Sequence, residues 1–437
     1  MEPVCPLDFR YGREEMKRIF DEENRLRKYI EVEVALAEAH AEIGNIPIAS
    51  SKNIRKCASK VKLKRVKEIE EEVKHDLMAV VKAFSEVCGN DGKYIHLGAT
   101  SNDIIDTATA LQLKDGIALI VKDLVKLRNT IAKLAKKHKD TLMLGRTHGQ
   151  AALPITFGLK LAVWVFEIDR HLERIMETSK RVEVGKMLGA VGTGAAFGKH
   201  ALKIQKSVMK KLGLGTPHAT TQILGRDRYA ELVCVLANIA SSLEKFATEI
   251  RNLQRNEIDE VSEGFNKKMQ VGSSTMPQKR NPIMSENIVG LSRIVRAFVL
   301  PAFENVSLWH ERDLTNSSSE RFIIPHVFVI VDDMLCKMEE IISNLEVKKE
   351  NMLKNIEETK GYIMAESVMM RLSEKVGRQK AHELIRKVSI EGQEKGISFK
   401  DAILSSPISN YLSMQEIEDA LQPRKYLGIA ADIVDFL

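Results

Sequence analysis

Apolar residues recur along the chain at alternating steps of four and three. Leu113, Ile117, Ile120, Leu124, Leu127, Ile131 and Leu134 form one such stripe. Leu232, Leu236, Ile239, Leu243, Phe246, Ile250 and Leu253 form a second, and Phe328, Val331, Leu335, Met338, Ile342 and Leu345 a third. Leu161, Trp164, Ile168, His171 and Ile175 give a fourth, and Ile288, Leu291, Val295 and Phe298 a fifth. This spacing is the seam of helices packed nearly parallel in a bundle. The first stripe alone covers roughly 33 Å of helix at the usual rise per residue. Proline breaks helix interiors, and its placement leaves room for such lengths. None falls between Pro47 and Pro154, between Pro154 and Pro217, between Pro217 and Pro277, or between Pro325 and Pro407. No strand-period segment of comparable strength appears, so the pattern predicts an all-α fold. Three helical regions are expected. Residues 1–105 carry shorter helices and the turn Gly44-Asn45-Ile46-Pro47, residues 106–356 carry the five stripes as a central bundle, and residues 357–437 return to shorter helices broken near Pro407 and Pro423.

Composition narrows the class. With 437 residues, 44% hydrophobic and 29% charged, the chain suits a soluble globular protein of two or three domains. No apolar run is long enough to span a membrane, and the first residues lack the apolar segment of a secretory signal. Five scattered cysteines without a CxxC pair suggest neither a disulfide framework nor a zinc cage, so a reducing, cytoplasmic setting is expected. The net charge of +6 is small for this length. The most basic run, 60–67, is followed at once by the acidic run 68–72, so no concentrated basic face points to nucleic acid. The glycine-rich run 185–198 matches neither a dinucleotide fingerprint nor a P-loop, and reads as a connecting loop near the active site.

The stretch Gly272-Ser273-Ser274-Thr275-Met276-Pro277-Gln278-Lys279-Arg280-Asn281-Pro282 stands apart. Asn281-Pro282 is a helix-start signal, with Asn able to cap free N–H groups and Pro suited to the first turn. A helix N-terminus beside a lysine and an arginine favours a carboxylate or phosphate. Residues 273–282 resemble the signature loop of the fumarase/aspartase superfamily, whose members eliminate fumarate from a succinyl-bearing substrate. Arg146-Thr147-His148-Gly149 resembles a second superfamily segment, the one that bears the general acid. The resemblance implies a three-domain helical fold with a long central bundle. It also implies a homotetramer whose active sites draw residues from three subunits, and no metal or redox cofactor.

Elimination needs a base for the proton beside a carboxylate, an acid for the leaving nitrogen, and positive charge for the intermediate. By resemblance, Ser273 is the base, activated by Lys279 and the loop amides. His148 is the acid, Glu286 its carboxylate partner, and Lys279 and Asn281 grip the substrate carboxylate. Histidine suits proton transfer near neutrality. Where many relatives place a second histidine soon after Arg-Thr-His-Gly, this chain has Gln150-Ala151-Ala152. Further segments resemble those of the nucleotide-handling branch of the superfamily. Arg10-Tyr11 and Lys74-His75-Asp76 would meet the nucleotide, and His96 with Thr100-Ser101 the succinyl carboxylate. Gln222 lies in the segment that meets the substrate amide, and Arg312, Ser317 and Arg321 would bind the phosphate. The last three are chemically suited to it. The expected activity is fumarate release from a succinylated purine nucleotide and from its succinylated imidazole carboxamide precursor. The alternatives are another fumarate-releasing lyase, such as argininosuccinate lyase, or a catalytically silent structural member. Arg312–Arg321 argues against the first, and the presence of Ser273 and His148 against the second.

Overall fold

The computed structural model describes residues 4–264, 275, 276 and 278–437. The five apolar stripes lie on five long helices: Ser101–Lys137, Phe157–Val182, Asp227–Leu253, Ile283–Ala297 and Thr315–Ser343. Every stripe residue is buried except Leu134, Phe298 and Leu345, which sit at or beyond helix ends and are half-buried. The 315–343 helix begins well ahead of its stripe and takes in Pro325. A proline there has no N–H for the carbonyl four residues back, that of Arg321, and the helix tolerates the loss.

Two compact units divide the chain. The first comprises residues up to Val125 with Arg170–Leu243 and Gly290–Cys336. Its core gathers Leu26, Ile30 and Leu36 of the Glu22–Glu42 helix with Ile54, Phe84, Ile104, Phe197 and Val208. Asp21 starts that helix by accepting the Asn24 N–H at 2.7 Å. At the end of the unit, Arg13 bonds Asp332 at 2.6–3.1 Å and also Asp123. Asp123, Asp332 and Cys336 bring three possible metal-ligand atoms within 4.8 Å of one another, but the Arg13 guanidinium already serves both carboxylates.

The second unit comprises Lys126–Asp169, Glu244–Val289 and Lys337–Leu437. Trp164 and Phe246 stack in it with ring centroids 4.6 Å apart. Its C-terminal part packs Val368, Leu372, Ile385, Phe399, Ile403 and Ile417 into a core of its own.

The unit departs from a purely helical pattern in a hairpin, β1 (Leu142–Thr147) and β2 (Gln150–Thr156). A two-residue pair, Val261–Ser262 with Glu346–Val347, is the other sheet among the described residues. The hairpin escaped the periodicity because Gly145 and Pro154 interrupt both runs. Pro154 faces Leu144 beside a register shift between Leu144 and Arg146, a place where a missing N–H is tolerated. A Cβ on Gly145 would lie 2.7 Å from the Leu153 carbonyl oxygen, so glycine is required by the close approach. Leu142 and Leu144 anchor the hairpin against Ile356, Ile363 and Met364. Among the described residues no helix is long and apolar enough to cross a membrane.

Candidate active site

The candidate residues fall in two sets, one in each unit. In the first unit, the loop before the 101–137 helix is held from several sides. His96 has φ 60°, in the left-handed region. Its backbone N–H and its Nδ1 both meet the carboxylate of Glu33, at 3.0 and 2.6 Å. Glu33 is fully buried. Burial pushes the His96 imidazole down and the Glu33 carboxylate pushes it up, with the net effect upward. Thr100 and Ser101 follow at the helix start, both half-buried. The Thr100 N–H donates to Asp103 at 2.9 Å. Asp103 is wholly buried and also accepts from Lys186 Nζ and from the Leu188 and Gly189 amides at 3.0 Å. The glycine-rich run therefore does touch the Thr100-Ser101 segment, through a buried ion pair that composition did not announce. A Cβ on Gly185 would come within 2.9 Å of Thr107 and Met209, so the chain passes there only without a side chain.

His75 caps the Asp76–Cys88 helix, its Nδ1 accepting the Met78 N–H at 3.4 Å. Asp76 accepts from Arg321 Nη2 at 2.8 Å, so this segment and the 315–343 helix meet at an exposed ion pair. Lys74, just before, is left-handed with φ 53°. Arg312 donates from Nη1 to Gln222 Oε1 at 3.0 Å. Its Nε is buried with no hydrogen-bond partner among the described residues, and burial lowers its pKa. Ser317, half-buried, lies one turn before Arg321 on the same helix face. Arg10 is exposed after the short Pro6–Phe9 helix, with Tyr11 half-buried beside it. Arg226, which accompanies Gln222 in sequence, is structural. It is buried between Asp106 (2.8 and 2.9 Å) and Glu320 (2.8 and 3.2 Å).

In the second unit, His148 and Gly149 are the two turn residues of the hairpin, with φ 54° and 75°. Positive φ at both positions is what a type I′ turn demands, and Asn or Gly usually meets it. Holding a histidine there costs strain, the kind of cost found at functional sites. Lys74, His96 and His148 are three of the six non-glycine residues with positive φ among the described residues. Below the turn, Arg146 makes a two-pronged bond to the fully buried Glu260, at 2.9 and 3.1 Å, and Asn355 adds a third at 2.8 Å.

Ser273 and Ser274 lie outside the described residues. The Lys279 N–H donates to the Met276 carbonyl at 3.0 Å. Lys279 is exposed, Asn281 half-buried and Glu286 exposed. These three line an open groove of about 990 Å³ that also receives Arg251, Arg255, Arg280 and Lys348. Its carboxylates are Glu257, Asp259 and Glu286, fewer than its cations, which suits an anionic ligand. The first turn of the 283–297 helix is capped differently from the sequence expectation. Glu263, buried, accepts the Met284 and Ser285 amides at 3.3 and 2.7 Å. The helix N-terminus is thus already served by an internal anion, and the attraction for a ligand falls to the cationic side chains. Among the described residues no hydrogen bond or ion pair links His148 to Glu286.

A family model described as "Lyase" matches residues 8–297, and one described as "Adenylosuccinate lyase C-terminus" matches residues 361–437. An adenylosuccinate lyase of Pyrococcus abyssi is 53% identical over 436 residues, covering 99% of this chain and 96% of that protein. The chain belongs to the adenylosuccinate lyase family. Another member, from Methanocaldococcus jannaschii, is 47% identical and is covered to 95% by 99% of this chain. Among solved structures, a fumarate lyase from Mesorhizobium sp. BNC1 superposes with a TM-score of 0.91 at 33% identity, over 100% of this chain and 99% of that one. A 3-carboxy-cis,cis-muconate lactonizing enzyme from Pseudomonas putida gives 0.89 at 31%, over 99% and 98%. The helical architecture is that of the fumarase/aspartase superfamily, and the chain is a lyase.

Sequence reasoning missed four groups that hold the adenylosuccinate lyase motifs in place: Glu33, Lys186, Glu260 and Glu263. All are charged and buried. Sequence alone gives no signal for burial of a single charge within a helix or loop, whereas their motif partners carried the resemblance.

Proposed function

We propose that this chain eliminates fumarate from adenylosuccinate, leaving AMP, and from the succinylated aminoimidazole carboxamide ribotide, in the cytoplasm. The observation that carries the reading is the full-length identity to adenylosuccinate lyases together with Gln222, Arg312, Ser317 and Arg321 lying in one unit. Ser273 removes the proton beside the succinyl carboxylate. The C–N bond then breaks, its electrons pass to nitrogen, and His148 supplies the proton that nitrogen needs. Lys279 and Asn281 hold the developing carboxylate charge. Glu286 orients His148.

His96, Thr100 and Ser101 take the succinyl carboxylate. Arg10 and Tyr11 contact the nucleotide, Lys74, His75, Arg312, Ser317 and Arg321 surround its phosphate, Gln222 meets its amide side, and Asp76 keeps Arg321 aimed. The working form is a homotetramer with sites shared between copies, organised in three helical regions (1–105, 106–356 and 357–437). A monomer by light scattering at micromolar concentration would contradict the shared site. The first test is fumarate release from adenylosuccinate and, separately, from argininosuccinate. Fumarate and AMP from the first alone is expected. Release only from argininosuccinate would overturn the phosphate assignments.

A further inference from the structure

Helix Glu22–Glu42 sends two side chains, two turns apart, into the 95–98 loop. His40 donates from Nε2 to the Leu97 carbonyl at 2.8 Å, while its Nδ1 accepts from Asn45 Nδ2 at 3.0 Å. That pair of bonds fixes His40 as a neutral imidazole, and burial lowers its pKa in the same sense. Glu33 does the opposite for His96. One carboxylate takes both the backbone N–H and Nδ1–H of the same residue. A carboxylate only accepts, so Nδ1 must carry the proton, and Nε2 is left with no partner among the described residues. The two grips also hold His96 in its left-handed backbone, with Gly98 left-handed behind it.

The titratable groups around His96 are few among the described residues. Glu33 and the neutral His40 come from the 22–42 helix. Asp103 comes from the 101–137 helix, and Lys186, from the glycine-rich run, already pairs with it. Among the described residues, the wholly buried Glu33 carboxylate forms an ion pair with His96 alone. A buried carboxylate of this kind is stable only with a charged or strongly donating partner.

We propose that Glu33 is a positioning residue for the lyase reaction: it keeps His96 charged, with Nδ1–H turned inward, so that Nε2–H is presented to an anionic oxygen of the substrate beside Thr100 and Ser101. The inference rests on the reading above that His96 belongs to the substrate site. Removing the Glu33 charge is therefore expected to act on the reaction through His96.

The test uses the full-length protein and two independent readouts. Histidine resonances followed by NMR, with His96→Gln for assignment, give the His96 titration without any turnover. It is expected above the ordinary imidazole range in the wild type and lower than that in Glu33→Gln, because the carboxylate that raises it is gone. A wild-type His96 titrating at or below the ordinary value overturns the proposal, even if Glu33→Gln fails to fold. In kinetics at pH 8, Glu33→Gln is expected to raise KM roughly tenfold and to move the alkaline limb of kcat/KM downward. Introduced into His96→Gln, it should add nothing, because its route is gone. An equal loss in both backgrounds means Glu33 is merely structural and overturns the proposal. If the wild type releases no fumarate from adenylosuccinate, the substrate reading falls, while the titration still decides whether Glu33 controls His96.

Discussion

Arg321 allows binding and stability to be separated in one substitution. Its guanidinium bonds Asp76 at 2.8 Å, but the two side chains are 61% and 37% exposed. An ion pair that open to water contributes about 0–1 kcal/mol to folding. A phosphate dianion offers the same guanidinium a stronger partner, and a charge-assisted hydrogen bond of that kind is worth about 1.5–3 kcal/mol. Arg321→Ala should therefore raise KM for adenylosuccinate roughly ten- to hundred-fold. It should leave the midpoint of urea unfolding almost unchanged. Steady-state fumarate release measured by absorbance, beside a denaturation curve on the same preparation, gives both numbers. An unchanged KM would refute the phosphate contact. A large loss of stability with a proportional loss of kcat would show that the Asp76 pair is structural instead.

Three other outcomes are expected. Ser273→Ala and His148→Ala should each abolish turnover while circular dichroism stays that of the wild type, and full activity of either variant would remove its assigned role. Glu260→Ala strands Arg146 beneath the His148 turn and should cost about 3–5 kcal/mol in urea unfolding; a cost under about 1 kcal/mol would mean that Arg146 and Glu260 do not fix the hairpin. Burial pushes the Asp123 carboxyl up to about 6 although Arg13 pulls it back, and Asp332 adds to the rise. A carboxyl raised on folding stabilises most below its unfolded value and loses that stabilisation as pH climbs through the folded one. Stability should thus fall between about pH 4 and 6, by up to roughly 3 kcal/mol, and Asp123→Asn should flatten the curve. Parallel slopes for the two proteins in thermal melts across that window would reject the assignment.

The long helices were legible because their signal is redundant. Seven apolar positions in register along 113–134, or along 232–253, outweigh any single exception. The hairpin at 142–156 was not legible, since its alternation is broken by Gly145 and Pro154 at the places where the register shifts. The family was legible where residues form a contiguous motif, as at 146–149 and 273–282. The site was illegible where a motif depends on a distant partner. Nothing near Glu33 announces His96, and nothing near Glu263 announces the 283–297 helix whose first amides it accepts. Such pairings are made by tertiary packing, and a local pattern carries no trace of them.

The two-residue turn at His148 has a consequence for how this chain tolerates variation. Its backbone geometry is the one in which asparagine and glycine are most comfortable, so the imidazole sits where stability alone would choose another residue. A library sorted only for thermal resistance is expected to drift to asparagine at position 148 and, on the role proposed for His148, to lose the reaction without losing the fold. Sorting for growth that depends on the reaction would hold histidine there against that drift. The frequency of asparagine at this one codon under the two regimes would measure what the turn gives up for the proton-donating role proposed for His148.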